Sequence, residues 1–367
     1  MLFRKDMDPR CAYCQRGQQI NEREVACVKR GIVAVEHHCR AFKYDPLKRV
    51  PPRPAALETE RLKEEEFFAV SSVQHRLEKI PGRALSQMGR RGDIMEVKRI
   101  CAAYWSATGN TDKTVNTIAE TLAEKLGVPL ERRNFTRPSD RAEDLSFTGR
   151  DLVVFGMPTY AGKLPNKMLP YVQQQIHGNG ALAVGVVTFG NRSYDNSLAE
   201  LCAALEADGF HTVAGGAFAC RHAFTDALAD GRPDWDDKRQ MGEFAARIAD
   251  KVKDLTDIPA PVAVPGDAAA PYYVPKGTDG QPVKFLKAKP QTDLGKCTDC
   301  GACARLCPMG AINPSNVAEV PGTCIKCQRC VRKCTKHAKY FDDPAFLSHV
   351  AMLEQNFTEP KENEVYL

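Results

Sequence analysis

Near the C-terminal end of this chain, Cys297, Cys300, Cys303 and Cys307 stand in the spacing C-x2-C-x2-C-x3-C, followed by Pro308. Cys324, Cys327, Cys330 and Cys334 repeat that spacing. Three thiolates on a tight loop each have to reach a different corner of one small cluster, so each run predicts an iron–sulfur centre. A disulfide framework suits a small secreted domain, and nothing here looks secreted. Four-Cys zinc sites rarely need three Cys at x2-x2 spacing.

The pair of runs resembles the two-cluster bacterial ferredoxin module, over roughly residues 290–340. In such runs the fourth Cys ligates the other cluster. The first [4Fe-4S] cluster is therefore expected on Cys297, Cys300, Cys303 and Cys334, and the second on Cys324, Cys327, Cys330 and Cys307. One departure from the pattern is Thr335, where the first run has Pro308. Neither residue is a ligand, but the local turn and the potential of the neighbouring cluster depend on it.

The rest of the chain sets the context. At 367 residues, two or three domains are expected. The first residues, Met1 to Arg10, hold no apolar stretch, so no signal peptide is expected. The longest apolar run, around Ala181–Gly190, is too short to span a bilayer. Exposed clusters and free thiols point to a reducing cytoplasm, in keeping with an anaerobe. Residues 1–94 carry 19 Lys/Arg against 13 Asp/Glu, and residues 95–367 carry 32 against 33. The basic excess of the N-terminal segment could steer an acidic redox partner, but it is no nucleic-acid signature by itself.

The middle of the chain reads as a phosphate site. Residues 98–105 form a short buried strand, Ser106-Ala107-Thr108-Gly109-Asn110-Thr111 a small polar loop, and Lys113–Leu126 a helix with Val115, Ile118, Ala119, Leu122 and Leu126 on one face. Backbone N–H groups and the helix dipole converge on such a loop. It contains no Lys or Arg, which argues against a nucleotide P-loop and suits a monophosphate held by neutral donors.

This segment resembles a flavodoxin, whose S/T-x-T-G-x-T loop is matched at Ser106, Thr108, Gly109 and Thr111. The alternation that follows fits a doubly wound parallel α/β sheet. Strands are expected at Pro129–Phe135, Asp151–Gly156, Ala181–Thr188 and Thr212–Cys220. Helices are expected at Lys167–Ile176, Asn196–Gly209 and Gly242–Leu255. The resemblance implies FMN at the carboxyl ends of the strands. Its phosphate would lie on the Ser106–Thr111 loop. Its ring would lie between the loop holding Pro158, Thr159, Tyr160 and Gly162 and the loop holding Phe189, Gly190, Asn191 and Tyr194. Tyr160 and Tyr194 are each either a ring-stacking partner or an ordinary loop aromatic. His222, in the loop after the fifth strand, reads as a surface or structurally bonded His before a catalytic one. Cys101, Cys202 and Cys220 read as small buried apolar residues.

A flavodoxin-like domain followed by a two-cluster ferredoxin module is similar to the clostridial-type ferredoxins with an N-terminal flavodoxin domain, the EFR1-type ferredoxin family, over about residues 95–350. Domains are accordingly expected at 95–256 (flavodoxin-like, FMN-binding) and 291–342 (two-cluster ferredoxin, small α+β). The Pro-rich linker 257–290 joins them, and residues 343–367 form a C-terminal tail or helix. The linker is semi-stiff, able to hold the cluster domain against the flavin edge or to let it swing.

At the other end, Cys11, Cys14, Cys27 and Cys39 could ligate one metal tetrahedrally, with Gly17 and Gly31 at knuckle turns. His37 and His38 are substitute ligands. Zinc, a rubredoxin-like iron and free redox thiols all remain open for this segment, residues 1–54. Residues 55–94 read as a linker, with a helix at Ala55–Phe67 and no clear period over Ser71–Asp93. Gly89-Arg90-Arg91-Gly92 ahead of Met95 could be a translated ribosome-binding sequence, which would make this an intergenic or fusion region. CGN codons for both arginines would remove that argument.

No triad, paired carboxylate or catalytic metal motif stands out, so no catalytic residue is assigned. The expected function is electron transfer between FMN and two clusters to a redox partner protein, with no membrane. A flavin-dependent reductase of a small-molecule acceptor, fed by its own clusters near Tyr160, Tyr194 and His222, is the alternative. A nucleic-acid-binding redox sensor is a third reading, and it lacks a recognition helix and interleaved aromatics.

Overall fold

The structure, a computed structural model, describes residues 10–21, 23–43 and 96–367. The expectations for the 55–94 segment lie outside the described residues. The chain divides into two units, 1–87 and 88–367.

In the first unit, β1 (Gly17–Gln19), β2 (Glu24–Cys27) and β3 (Gly31–Ala34) form an antiparallel meander. Val25 is fully buried, beside the buried thiols Cys11, Cys14 and Cys27. Gly31 turns the β2–β3 connection with φ +73°.

The second unit is built on the apolar strands read from the sequence. β4 (Arg99–Tyr104), β5 (Leu130–Asn134), β7 (Asp151–Pro158), β9 (Leu182–Phe189) and β10 (His211–Ala219) pair in parallel, in the order β5-β4-β7-β9-β10. In chain order that is 2-1-3-4-5, the flavodoxin-like doubly wound arrangement. A minor pair, β6 (Leu145–Ser146) and β8 (Ile176–His177), lies apart from it. Strands buried on both faces need apolar residues at successive positions. Ile100, Ala102, Leu152 and Val154 turn to one face, where α1 (Asn110–Leu126) and α4 (Trp235–Lys253) pack with Ile118, Leu122, Phe244 and Ile248. Cys101, Ala103, Val153 and Phe155 turn to the other, against α2 (Leu169–Gln175) and α3 (Ser197–Ala207). The closing helix begins at Trp235, not at Gly242 as its apolar spacing predicted. Asp234 caps it, accepting the Asp237 N–H at 3.0 Å, and polar residues fill the first two turns.

The cluster module comprises β11 (Gln291–Thr292), α5 (Ala302–Leu306), α6 (Arg329–Arg332) and β12 (Lys339–Tyr340), with β11 antiparallel to β12. Its two halves repeat in the backbone as well as in the sequence. Asp299 (φ 50°), Gly301 (68°) and Gly310 (57°) are left-handed, and so are Lys326 (56°), Gln328 (63°) and His337 (50°), each 27 positions further on, the spacing from Cys297 to Cys324.

The last segment corrects the expected organisation. Residues 343–367 do hold the helix expected there, but they do not end as an appended tail. After α7 (Pro344–Asn356) the chain returns, and β13 (Glu364–Tyr366) adds antiparallel to β10 as a sixth strand of the main sheet. Asn191 holds this return, donating to the carbonyls of Phe357 at 2.7 Å and Glu359 at 3.0 Å and accepting from the Lys361 N–H. The cluster module is thus tied to the flavodoxin-like domain at both of its ends. Among the described residues, no helix is long and apolar enough to cross a membrane.

Candidate functional site

The Ser106–Thr111 loop joins the end of β4 to the start of α1. Gly109 is its pivot, at φ +108°, a left-handed backbone that side chains resist. Ser106 is turned inward: its N–H donates to Thr136 Oγ1 at 2.9 Å and its Oγ accepts from the Asp112 N–H at 3.1 Å. Thr111 Oγ1 meets Thr188 Oγ1 at 2.8 Å, and the Asn110 amide donates to the Arg221 carbonyl at 3.0 Å. Among the described residues, the backbone N–H groups of Ala107 through Thr111 have no protein acceptor. Five orphaned donors at a helix N-terminus are what a phosphate dianion needs. The residues present fit that group.

Ala107, Thr108, Asn110 and Thr111 open onto a cavity of about 570 Å³ at the carboxyl ends of β7 and β9. That volume lies within the ordinary range of small-molecule sites. Pro158, Thr159, Tyr160, Gly162, Phe189 and Gly190 also line it. Tyr160 stands edge-on to Trp105, ring centroids 6.0 Å apart, and burial raises its pKa well above the usual phenol value, with Cys327 and Cys324 adding to the effect. It is therefore a neutral, apolar wall at neutral pH.

Other assignments move. Gly162 and Gly190 leave room for protein groups: a Cβ would collide with Asp195 at the first and with His222 at the second. Asn191 does not line the cavity, its amide being spent on the C-terminal return. Tyr194 does not line it either. Its ring packs on Phe189 at 5.5 Å, and its hydroxyl donates to Glu364 at 2.6 Å and meets Tyr366 at 2.9 Å. Burial, with those two partners, raises its pKa. Ser106 and Gly109 shape the loop from behind.

The lining includes His222, which the alternative reading placed near the ring, and several residues that were not legible as lining. His222 faces the cavity, and its Nδ1 accepts the Phe224 N–H at 3.1 Å. Burial, with His349, Arg332 and Arg192 nearby, lowers its pKa to about 4, so it is neutral at physiological pH. Tyr272, Tyr273 and Phe285 come from the Pro-rich linker, which is laid along the cavity rather than left free. The Tyr273 N–H donates to the Ala161 carbonyl at 2.8 Å, and its ring lies 4.0 Å under the Arg192 guanidinium. Tyr272 donates to the Leu164 carbonyl at 2.8 Å. Lys163, paired with Glu200 at 3.1 Å, donates to the carbonyl of Ala270 at 3.0 Å.

The remaining wall comes from the second cysteine run. Thr323, Cys324, Ile325 and Lys326 line the same cavity as the phosphate loop. Arginines dock the two parts. Arg329 Nη1 donates to the carbonyls of Ser106 at 2.9 Å and Ala107 at 2.7 Å. Arg332 donates to the carbonyls of Ala223 and His222, each at 3.1 Å. Arg141 donates to the Pro308 carbonyl at 2.7 Å.

Within the module, Cys307 is gathered with the second run. Burial raises the pKa of Cys330, and the neighbouring thiols of Cys327, Cys324 and Cys307 raise it further. Cys327 is pushed up to about 12, by burial first and then by Cys307 and Cys324. Burial and Cys297 raise Cys303 in the first run. Backbone N–H groups point at sulfur in matching places. Asp299 donates to Cys297 at 3.4 Å and Lys326 to Cys324 at 3.4 Å; Ala311 donates to Cys307 at 3.3 Å and Ala338 to Cys334 at 3.3 Å. Such N–H···S bonds favour thiolate, the ligand form. This donor set fits iron–sulfur clusters.

In the N-terminal unit, burial raises the Cys11 thiol, as do Cys27, Cys39 and Cys14, so the four sulfurs share one neighbourhood. His37 and His38 are exposed. Among the described residues, no three His, Cys, Asp or Glu side chains are arranged to hold a metal ion as they stand. The four N-terminal thiols are gathered without closing to coordination distance.

Residues 290–313 match the model of the 4Fe-4S binding domain. That span holds the whole first run. No curated protein matches the chain. Solved structures that are similar include a flavodoxin from the domain Archaea, at 16% identity over 43% of this chain and 99% of that one, with a TM-score of 0.30. A flavodoxin of Streptococcus pneumonia TIGR4 aligns at 20% identity over 42% and 99%, TM-score 0.30. Flavodoxin 2 of Bacillus cereus aligns at 17% over 42% and 99%, TM-score 0.29. The flavodoxin-like fold rests on the strand order, and a 4Fe-4S domain is fused behind it.

Proposed function

We propose that this chain is an electron-transfer protein that moves electrons between FMN and two [4Fe-4S] clusters and exchanges them with a redox partner, as in the EFR1-type ferredoxins. The observation that carries this reading is the shared cavity. Thr108, Asn110 and Thr111 of the phosphate loop and Cys324 of the second run face one space. FMN handles one- and two-electron steps and clusters pass single electrons, so a protein with both exchanges electron pairs for single ones.

The chain's own residues do the rest. The loop N–H groups and Thr108 would hold the phosphate. Tyr160 and Phe189 would bound the ring and keep water from it. Cys324, Cys327, Cys330 and Cys307 would hold the cluster beside the flavin, and Cys297, Cys300, Cys303 and Cys334 the one beyond it. Lys326 Nζ, donating to the Leu286 carbonyl at 2.9 Å, locks the second run against the linker that walls the cavity. A reducing cytoplasm is the compartment that suits these thiols. For the N-terminal thiols, zinc is the reading their gathering favours, by closure of the four sulfurs on binding.

A reductase of a small-molecule acceptor has one observation in its favour, the neutral His222 at the cavity wall, whose Nε2–H is available as a donor. Turnover of a quinone or nitro compound would support it.

The deciding experiment is cofactor stoichiometry after anaerobic purification. The expected result is about eight iron and eight sulfide with one FMN per chain, and one zinc if the N-terminal site is metallated. Clusters without flavin would overturn the reading.

A further inference from the structure

The cluster module is basic. Residues 291–342 hold eight Lys/Arg against four Asp/Glu, although residues 95–367 as a whole are one unit negative. The eight cations divide by position. Lys326, Arg329, Arg332 and Lys339 point inward, donating to the carbonyls of Leu286, Ala107, His222 and Val317 respectively. Lys296, Arg305, Lys333 and Lys336 are exposed.

Two of the exposed four, Lys296 and Arg305, belong to the first run, and two, Lys333 and Lys336, flank the last cysteine of the second. Lys296 precedes Cys297, and Arg305 donates to the Cys300 carbonyl at 2.9 Å. Lys333 and Lys336 flank Cys334, whose sulfur accepts from the Ala338 N–H. The Asp293 N–H donates to the Ala338 carbonyl at 2.8 Å, which brings the Lys296 turn to the same place. Among the described residues neither Lys333 nor Lys336 forms an ion pair, while Lys296 pairs with Asp293 at 3.0 Å. Asp299 is the exposed carboxylate within the first run. Of the eight cluster cysteines, Cys300 is the exposed one. Beside the collar, Leu294 is 74% exposed, a small apolar spot with a charged rim.

The second run, by contrast, is committed to the cavity. The two sites are therefore not equivalent: a cluster on the second run would border the cavity, and one on the first run would lie under the exposed Cys300.

We propose that the face around Cys300, which carries the exposed cations Lys296, Arg305, Lys333 and Lys336 and the exposed Leu294, docks an acidic one-electron carrier protein; this rests on the electron-transfer reading above. In the exchange, one electron leaves the reduced carrier, which is oxidised, and the first cluster takes it up; no proton or group moves. The reverse exchange uses the same face. The collar raises the encounter rate with a negative partner and disfavours a positive one.

The test uses the full chain with its cofactors and an acidic two-iron ferredoxin as probe, followed anaerobically by stopped flow. The rate at low salt is expected to fall about tenfold or more as ionic strength approaches 0.5 M, where screening reaches only a few ångströms. Lys333→Glu/Lys336→Glu is expected to lower the low-salt rate about tenfold and flatten the salt dependence. Arg305→Glu, two positions from Cys303 and Cys307, should act in the same direction. Dithionite reduction and iron content should not change in either variant. A rate that is flat or rises with salt would overturn the docking face, as would charge-reversed variants that keep the wild-type rate with intact clusters. Wild-type protein lacking flavin or iron would instead overturn the electron-transfer reading itself.

Discussion

Arg329 Nη1 donates to the Ala107 carbonyl at 2.7 Å, so a residue lying between two cysteines of the second run holds the backbone of the phosphate loop. Its Nε is buried with no partner among the described residues, and burial lowers its pKa. A cation is kept there at a cost, and what it secures is the conformation in which the loop N–H groups face the cavity. Arg329→Met should therefore weaken FMN binding about tenfold or more, in line with charge-assisted hydrogen bonds worth about 1.5–3 kcal/mol. A flavin fluorescence titration measures it, with iron content as the check that the module is intact. Unchanged affinity would mean that the loop keeps its shape without the cluster domain.

The gathering of Cys307 with Cys324, Cys327 and Cys330 separates two ligand schemes. If each run held its own cluster, Cys307→Ser would damage the first centre. With the crossed arrangement it should damage the one bordering the flavin. The expected outcome is loss of one cluster's reduced-state EPR signal, and of electron exchange with FMN. Cys334→Ser should instead impair reduction by an external carrier while leaving the flavin-coupled signal in place.

The parallel sheet was readable because its central strands hold continuous apolar runs such as Leu152–Phe155, and the loop after β4 because strand, small residues and helix follow in immediate succession. The two cysteine runs were readable because their repeated spacing stands out in the sequence. The return of the chain through β13 was not. Glu364-Val365-Tyr366 is three residues long and polar at two of them, so it carries no period, and its pairing with β10 comes from the Asn191 and Asn363 side chains. Nor could the sequence show that Tyr194 turns away from the cavity, since its partner Glu364 lies 170 positions on. Arg329 carried no signal of its role, because its acceptors on Ser106 and Ala107 lie more than 220 positions away in the sequence.

Tyr194 offers a clean test of that correction. Its hydroxyl, joined to Glu364 and Tyr366, ties the loop after β9 to the last strand. Tyr194→Phe should cost about 1.5–3 kcal/mol of stability, the range for a hydrogen bond to a charged acceptor. FMN affinity should be unchanged. Urea unfolding and a flavin titration on the same preparation read both quantities. A large loss of affinity with little loss of stability would restore Tyr194 to the ring.

At the C-terminal end of α3, Asp208 has a buried Oδ2 with no partner among the described residues. Burial pushes its carboxyl up to about 6, and His177 offsets this only in part. An unfolded Asp titrates near 3.9. Between those values the folded chain binds the proton that the unfolded chain has lost. Its contribution is therefore full below about pH 4 and is lost as the pH rises through about 6. Asp208→Asn, which keeps the shape and removes the titration, should raise the unfolding midpoint at pH 7.5 and leave it nearly unchanged at pH 3.5. Thermal unfolding at the two pH values checks the sign. A variant destabilised at pH 7.5 would mean that the carboxylate is satisfied by water and that its charge is welcome there.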